Sequence, residues 1–243
     1  MSVVLEAINV YKTFKSDLFK KNQIALKDIS FKIESGQFVG LIGPNGAGKT
    51  TLMKCALDFL FPDQGQVLFF DQQMNLDSKK KLGYLPERPY FQDFLTGIDF
   101  LKLHWDLSGN PASNFSDKAE QVLKLVQLVE AKNKKLKNYS KGMLQRIGLA
   151  QALIAEPEFL ILDEPMSGLD PDGRILFKEI LKSLKQKHLT SLMSSHLLED
   201  IEELCDHLIV LHEGKVVYCG PVTDFKSSFT SLEEAYQKFK AKL

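Results

Sequence analysis

The chain has 243 residues, 44% of them hydrophobic, which is enough to bury a substantial core as one large domain or two small ones. Its 31 basic and 31 acidic residues balance, so the net charge provides no attraction to nucleic acid or anionic lipid. Cys55, Cys205 and Cys219 form no metal-ligand pattern, and no apolar stretch is long enough to cross a bilayer, so we expect small buried thiols in a reducing compartment and no membrane span.

Short apolar runs mark candidate strands along the chain. They cover residues 3–10, 29–33, 38–42, 67–70, 159–162, 190–194 and 208–211. The all-apolar runs are typical of central parallel strands that are covered on both faces. The pattern becomes helical at residues 101–105, 119–128 and 143–154. Without repeats or flexible linkers, this organisation predicts a single α/β domain over residues 1–243 with a helical block inserted at about 88–157.

The loop after the third run carries the most informative motif. Residues 43–50 read Gly-Pro-Asn-Gly-Ala-Gly-Lys-Thr, which matches Gly-x-x-x-x-Gly-Lys-Ser/Thr. An apolar strand is predicted before it, and residues 51–57, which contain no Gly or Pro, favour a helix after it. Glycines let successive backbone N–H groups converge on a phosphate, and the helix N-terminus adds further N–H groups. We predict that this loop binds nucleotide phosphates.

Two side chains of this loop have predicted chemical roles. The Lys49 ammonium is expected to reach the β and γ phosphates and to act in catalysis, and the Thr50 hydroxyl to ligate Mg²⁺. The complete set of predicted loop contacts is Gly43, Pro44, Asn45, Gly46, Ala47, Gly48, Lys49, Thr50 and Thr51.

A pair of acids, Asp163 and Glu164, follows the apolar run at 159–162 and precedes Pro165. Asp163 can hold Mg²⁺, which prefers hard oxygen ligands, and Glu164 can orient and deprotonate an attacking water. Two acids at the end of a strand are a weak signal alone, because turns also attract acids. Their combination with the phosphate-binding loop favours phosphoryl chemistry.

Residues 139–146 read Tyr-Ser-Lys-Gly-Met-Leu-Gln-Arg and precede a helical run. With the preceding motifs, this segment resembles the signature of the ATPase subunits of ATP-binding cassette (ABC) transporters, and the resemblance covers essentially the whole chain. Ser140 is a good helix N-cap and Gly142 permits close approach, so the helix start can bind an anion. The resemblance implies that this anion is the γ-phosphate of ATP held by an opposite subunit. It also implies a P-loop NTPase (RecA-like) core with an antiparallel β subdomain and an inserted helical subdomain.

Further positions follow in the order expected from this resemblance. Residues 167–170, Ser-Gly-Leu-Asp, resemble the loop that crosses the dimer interface, and His196 resembles the switch histidine. Phe14 stands where the family stacks an aromatic ring on adenine, with Tyr11 as the neighbouring alternative.

Two departures from the family pattern affect these predictions. Glu87 replaces the usual glutamine of the loop that contacts Mg²⁺ and water, so a carboxylate is the predicted metal and catalytic contact there. Lys141 and Met143 replace the first glycine and the glutamine of the signature. Because Ser140 and Gly142 are kept, we predict an active ATPase.

The resemblance also implies partners and cofactors. ATP and Mg²⁺ would be bound by two copies of this chain, or by this chain and a homologous ATPase subunit. Transmembrane permease subunits would hold the pair at the cytoplasmic face of the inner membrane, and no nucleic acid is expected. The variant motifs and the predicted helix at 231–239 are most similar to the bacterial ABC-2 exporter branch. The cargo cannot be read from this chain.

The position of a membrane-subunit contact stays open. An aromatic cluster at the start of the helical block could form a coupling groove or pack in the core. Its members are Pro89, Tyr90, Phe91 and Phe94. The lysines between residues 132 and 137 are interpreted as a solvated connection.

Two rival interpretations are kept. The first is a soluble ABC ATPase acting on nucleic acid or the ribosome, disfavoured because those relatives usually carry two cassettes or a long coiled-coil insertion. The second is a phosphate-loop kinase or hydrolase acting on a small molecule, which would have no use for a signature acting on another subunit.

Overall fold

The computed structural model describes residues 2–14 and 23–242. The strands in these residues are β1 (Val3–Phe14), β2 (Gln23–Glu34), β3 (Phe38–Ile42), β4 (Gln64–Phe69), β5 (Gln72–Gln73), β6 (Leu82–Leu85), β7 (Phe159–Leu162), β8 (Thr190–Ser194), β9 (His207–His212) and β10 (Lys215–Pro221). The α-helices are α1 (Lys49–Ala56), α2 (Leu76–Lys80), α3 (Gly97–Leu107), α4 (Phe115–Leu125), α5 (Lys141–Leu153), α6 (Pro171–Gln186), α7 (Leu198–Leu204), α8 (Val222–Lys226) and α9 (Leu232–Lys240).

The larger sheet has the strand order β10-β9-β3-β8-β7-β6. Its strands from β9 to β6 are parallel, and β10 pairs with β9 as an antiparallel edge hairpin. The smaller sheet, in the order β2-β1-β4-β5, is antiparallel. This mixture of a parallel core and an antiparallel sheet confirms the predicted fold class.

The parallel strands β3, β7, β8 and β9 are buried on both faces, as their apolar sequences predict. In β7, Phe159 and Ile161 join the apolar cluster that includes α1 and the antiparallel sheet, whereas Leu160 and Leu162 join the cluster that includes α5 and α6. The same alternation occurs in β3 and β9. Each of these strands therefore contributes to both layers of the core.

Helices α3, α4 and α5 follow β6 and precede β7 in the sequence, and they pack against one another. Their core residues, such as Phe100 and Ile147, belong to the same apolar cluster as Leu85 and Leu162 of the sheet. The helical block therefore shares a continuous core with the sheet. The domain boundaries at 88–157 stay a prediction.

Several predicted elements need correction. Residues 67–69 of the all-apolar run at 67–70 belong to β4 in the antiparallel sheet, not to a central parallel strand. Strand β6 was not predicted because Gly83 interrupts its apolar run. A Cβ at Gly83 would lie 2.3 Å from the Ala152 carbonyl oxygen, so close packing on α5 requires the glycine.

The prediction also missed β10 and the exposure of one cysteine. The β9–β10 hairpin turns at Glu213 and Gly214, whose φ angles are 46° and 78°, as expected for a two-residue hairpin loop. Cys55 and Cys205 are buried free thiols, as expected, whereas Cys219 is exposed. Its place on the edge strand β10 explains the exposure.

Candidate active site

The predicted site residues converge at one edge of the parallel sheet. The glycine loop follows β3, His196 lies just beyond β8, Asp163 and Glu164 follow β7, and Glu87 lies just beyond β6. Because these four strands are parallel and lie side by side, their carboxyl ends meet at the same edge. This edge is where open α/β sheets bind ligands.

The glycine loop depends on two positions where a side chain would not fit. Gly43 has φ 155° and Gly48 has φ 105°. A Cβ would lie 2.3 Å from the Leu211 carbonyl oxygen at Gly43, and 2.5 Å from the Ala25 carbonyl oxygen at Gly48. Gly48 is the N-cap of α1 and offers no side-chain cap to its N–H groups. The helix start therefore presents backbone donors suited to a phosphate.

Lys49 is the first residue of α1, and its Nζ donates to the carbonyl oxygens of Gly43, at 2.6 Å, and of Pro44, at 3.3 Å. Burial lowers the pKa of this lysine, while the carboxylates of Glu164 and Asp163 oppose the shift. The ammonium thus contacts the loop carbonyls and is subject to the charge of the two acids.

A cavity of about 300 Å³ lies beside this loop. Its lining residues are Phe14, Gln23, Ala25, Asn45, Gly46, Ala47, Gly48, Lys49, Thr50, Thr51, Glu87, Asp163 and Glu164. Phe14, at the end of β1, contributes to this wall and is 42% exposed, whereas Tyr11 is not among the lining residues. This placement supports Phe14 over Tyr11 as the adenine contact, which stays a prediction.

Asp163 and Glu164 are held by a residue that the sequence interpretation missed. The Ser194 hydroxyl, at the end of β8, donates to Asp163 Oδ1 at 2.7 Å and accepts from the Glu164 backbone N–H at 2.8 Å. Burial, with the nearby carboxylates of Glu164 and Glu87, raises the pKa of Asp163, and the Ser194 hydrogen bond opposes this shift. In the sequence, the only indication of this role is that Ser194 lies two residues before His196, at the end of a strand predicted to lie in the same sheet as the strand before Asp163.

Glu164 and His196 are in direct contact. Glu164 Oε2 lies 2.7 Å from His196 Nδ1 and accepts from the His196 backbone N–H at 3.2 Å. Glu164 has φ 47°, an uncommon conformation for a residue with a side chain. The backbone at Glu164 is thus held in a special conformation that directs its carboxylate to the cavity and to His196.

The site offers several hard oxygen donors. The carboxylate of Asp163 is buried, the carboxylate of Glu87 is half-exposed and forms an ion pair with Arg88, and Thr50 adds a hydroxyl. These three residues line the same cavity and match the donors that Mg²⁺ prefers.

Other predicted residues lie outside this cavity. Gly43, Pro44 and His196 line an adjoining cavity that shares Asn45 and Lys49 with the first. Ser140 and Gly142 line a third cavity, of about 500 Å³, with Gly168, Asp170 and other residues. Ser140 caps α5 by accepting from the Met143 N–H at 3.2 Å. The signature and the phosphate-binding loop therefore occupy separate places in one chain.

The aromatic cluster divides between the two interpretations offered for it. Phe91 packs against Phe100 with ring centroids 5.3 Å apart, and Pro89 lies beside Gly148 of α5. Tyr90 and Phe94 are 85% and 70% exposed. Only the latter pair is free to contact another molecule.

The parallel sheet, glycine loop and acidic strand end define a phosphate-loop nucleotide-binding protein. The ABC transporter family profile matches residues 26–167. An uncharacterized ABC transporter ATP-binding protein of Nostoc sp. is 41% identical over 231 residues, which cover 93% of this chain and 69% of that protein. The bacitracin transport ATP-binding protein BcrA of Bacillus licheniformis is 34% identical over 221 residues, 89% of this chain and 69% of that protein.

A solved structure of an ATP-binding subunit of an ABC transporter is also similar. It has 28% sequence identity and a TM-score of 0.86, and the match covers 98% of this chain and 99% of that one. The chain belongs to the ABC transporter family as an ATP-binding subunit, and it is an ATPase. Within the part that the structure describes, no helix combines the length and hydrophobicity needed to span a bilayer.

Proposed function

We propose that two cassettes, two copies of this chain or this chain and a homologous subunit, enclose two ATP molecules and drive cargo movement by separate transmembrane subunits. The observation that carries the proposal is the separation of Ser140 and Gly142 from the cavity beside Lys49. The start of α5 can bind an anion, but the phosphate-binding loop of the same chain does not lie beside it. An opposite cassette would bring the two together, so ATP binding would close the dimer and hydrolysis would reopen it.

The proposed chemistry assigns a role to each group in the cavity. Glu164 would accept a proton from a water molecule whose oxygen attacks the γ-phosphorus, and the bond from phosphorus to the β–γ bridging oxygen would break to give ADP and phosphate. The contact with His196 would orient the Glu164 carboxylate. Lys49 would stabilise negative charge on the phosphates. Phe14 would stack on adenine.

Mg²⁺ would be held by Thr50, Asp163 and Glu87. The cavity fits a cation. The buried Asp163 carboxylate lies near other carboxylates, and its raised pKa shows that its negative charge is poorly compensated, which a cation would correct. When bound, the ion would neutralise charge on the phosphate oxygens.

Lys141 adds a positive charge within the signature. Its Nζ lies so close to Gly168 that a Cβ there would be 1.9 Å away, so the ammonium is next to the loop predicted to cross the dimer interface. A cation at this place can help the signature to bind a phosphate. This is one reason to expect an active enzyme.

Tyr90 and Phe94 are the proposed contacts with the membrane subunits, because they are exposed aromatic residues at the start of the block at 88–157. This contact would place the chain at the cytoplasmic face of the inner membrane. The name of the BcrA relative supports a role in transport, and the variant residues Glu87 and Lys141 support the exporter branch.

The transporter assignment can be tested by isolating tagged Glu164→Gln protein from detergent-solubilised membranes of its source cell in the presence of Mg-ATP. We expect a multi-spanning membrane protein in comparable amount, identified by mass spectrometry. The matched control is the double substitution of Tyr90 and Phe94 by Ser, which should lose that protein and keep ATP binding. Ribosomal or nucleic-acid-associated proteins without a membrane protein would instead support the soluble rival.

A further inference from the structure

A charge cluster connects α6 to α7 next to the predicted catalytic residues. Asp200 in α7 is 1% exposed and forms ion pairs with Arg174 and Lys178, both in α6. Arg174 Nε donates to Asp200 Oδ1 at 3.2 Å while its Nη2 pairs with Oδ2, so the contact is bidentate. Bidentate guanidinium–carboxylate pairs fix orientation as well as distance.

Asp200 also reaches the turn that carries His196. The Ser195 hydroxyl, on a residue that is 6% exposed, donates to Asp200 Oδ2 at 3.5 Å. Ser195 Oγ in turn accepts from the Leu197 N–H at 3.1 Å. Ser195 and Leu197 flank His196. The His196 side chain is 60% exposed, so the flanking backbone, more than packing, sets its position.

The other end of the cluster leads to the predicted dimer contact. Arg174 lies in the first turn of α6, and its N–H donates to the Asp170 carbonyl oxygen at 2.9 Å. Asp170 caps this helix and ends the segment 167–170. The segment 167–170 is therefore connected to the turn that carries His196 through Arg174, Asp200 and Ser195. This connection is separate from the one that runs along the backbone to Glu164, which contacts His196 directly.

We propose that Asp200 is a positioning residue that, through Ser195, holds His196 against Glu164 and links this contact to the segment 167–170. The inference rests on the proposed function, because it assumes that Glu164 and His196 act in hydrolysis. Closure of the dimer on the segment 167–170 would then change the position of His196 through the buried Arg174–Asp200 ion pair, and not only through the strand that precedes Glu164.

A purely structural role, in which the ion pairs only fasten α6 to α7, has a matched control. Glu203 joins the same two helices by pairing with Lys178 and Lys182. No hydrogen bond or ion pair among the described residues joins Glu203 to Ser195 or His196. Glu203→Gln therefore weakens the attachment of α6 to α7 without touching the His196 turn.

The test compares Asp200→Asn, Ser195→Ala and Glu203→Gln with the wild type in steady-state ATP hydrolysis. Nitrogen NMR of the His196 imidazole is recorded on the same proteins. We expect Asp200→Asn and Ser195→Ala to lower kcat by roughly 10- to 100-fold with little change in the KM for ATP, since a small misplacement near the chemistry has this effect. Both should also shift the His196 Nδ1 signal. Glu203→Gln should do neither.

Equal kcat values and unchanged His196 signals in all three variants would overturn the inference. If Asp200→Asn fails to fold, Ser195→Ala decides alone, because it leaves the ion pairs intact. Glu164→Gln is measured in the same series, and wild-type turnover in that variant would refute the proposed role of Glu164 rather than this inference.

Discussion

Removal of the Ser194 hydroxyl tests the organisation of the acidic strand end. In Ser194→Ala, the buried carboxylate of Asp163 loses a donor at 2.7 Å and the Glu164 N–H loses an acceptor at 2.8 Å. Ser194 is fully buried, so water cannot readily replace the hydroxyl. The substitution removes one oxygen and leaves two unsatisfied groups.

The expected cost follows from those two groups. A hydrogen bond to a charged group contributes about 1.5–3 kcal/mol, and an unsatisfied buried N–H costs about 1–3 kcal/mol. We therefore expect the free energy of unfolding to fall by about 3–5 kcal/mol at neutral pH. For a chain of this size, that loss corresponds to a decrease in Tm of roughly 6–20 °C.

The loss should also depend on pH. Because the folded-state pKa of Asp163 is raised, the folded protein holds a proton that the unfolded chain has released, and stability falls as pH rises through the window above the unfolded pKa. The Ser194 hydrogen bond limits this rise in pKa, so Ser194→Ala should widen the pH range between the unfolded and folded pKa values of Asp163. The difference in stability between wild type and variant should therefore be larger at about pH 7 than at about pH 4.

Ser191→Ala is the matched control for this measurement. Ser191 lies on the same strand, β8, and is also fully buried, but its hydroxyl has no hydrogen-bond partner among residues 2–14 and 23–242. Its removal should be neutral or slightly stabilising. Urea unfolding of both variants at the two pH values gives the comparison. A loss of unfolding free energy in Ser194→Ala no larger than in Ser191→Ala would show that the two Ser194 hydrogen bonds do not stabilise the fold.

Three further predictions concern the cavity. Gly48→Ala should lower ATP affinity at least about tenfold in calorimetric titration, because strain and the contact with Ala25 would distort the loop. Gly46→Ala should have the smaller effect, because Gly46 has φ 80° but a Cβ there would meet no atom within 4 Å apart from its chain neighbours; the reverse order would contradict the loop geometry. Phe14→Ala should weaken ATP binding about 2- to 10-fold, the value of one aromatic stacking contact, while Tyr11→Ala should not; equal effects would exclude Phe14 as the adenine contact. Asp163→Asn should abolish turnover yet raise the free energy of unfolding at pH 7, measured by urea unfolding, since a carboxyl with a raised pKa destabilises the fold when ionised; a less stable variant would show that the carboxylate is favourably placed.

The sequence predicted the features that local patterns encode. The parallel strands, the glycine loop and the acids after β7 each have a short motif, and parallel pairing then brings their ends to one edge. Ser194 has no such motif, because its role arises only when β7 and β8 pair and bring its hydroxyl to Asp163 and Glu164. Strand β6 was missed for a related reason, since Gly83 is required by contact with a helix that follows about 60 residues later in the chain. Tertiary contacts of this kind leave no periodic signal.

Whether ATP is held between two chains can be measured directly on the Glu164→Gln protein with Mg-ATP. Light scattering gives its mass, and the bound nucleotide is measured on the same sample. We expect the mass of two chains with two ATP molecules. Adding Gly142→Asp should give one chain with ATP still bound. Apart from its chain neighbours and the backbone of α5, no described atom lies within 4 Å of a Cβ at Gly142. An acid suits the start of α5, but its charge would repel a phosphate on the partner. A Glu164→Gln protein that binds ATP as a single chain would contradict the proposal that two chains enclose ATP. A Gly142→Asp form that still dimerises would contradict the role of the signature in that dimer.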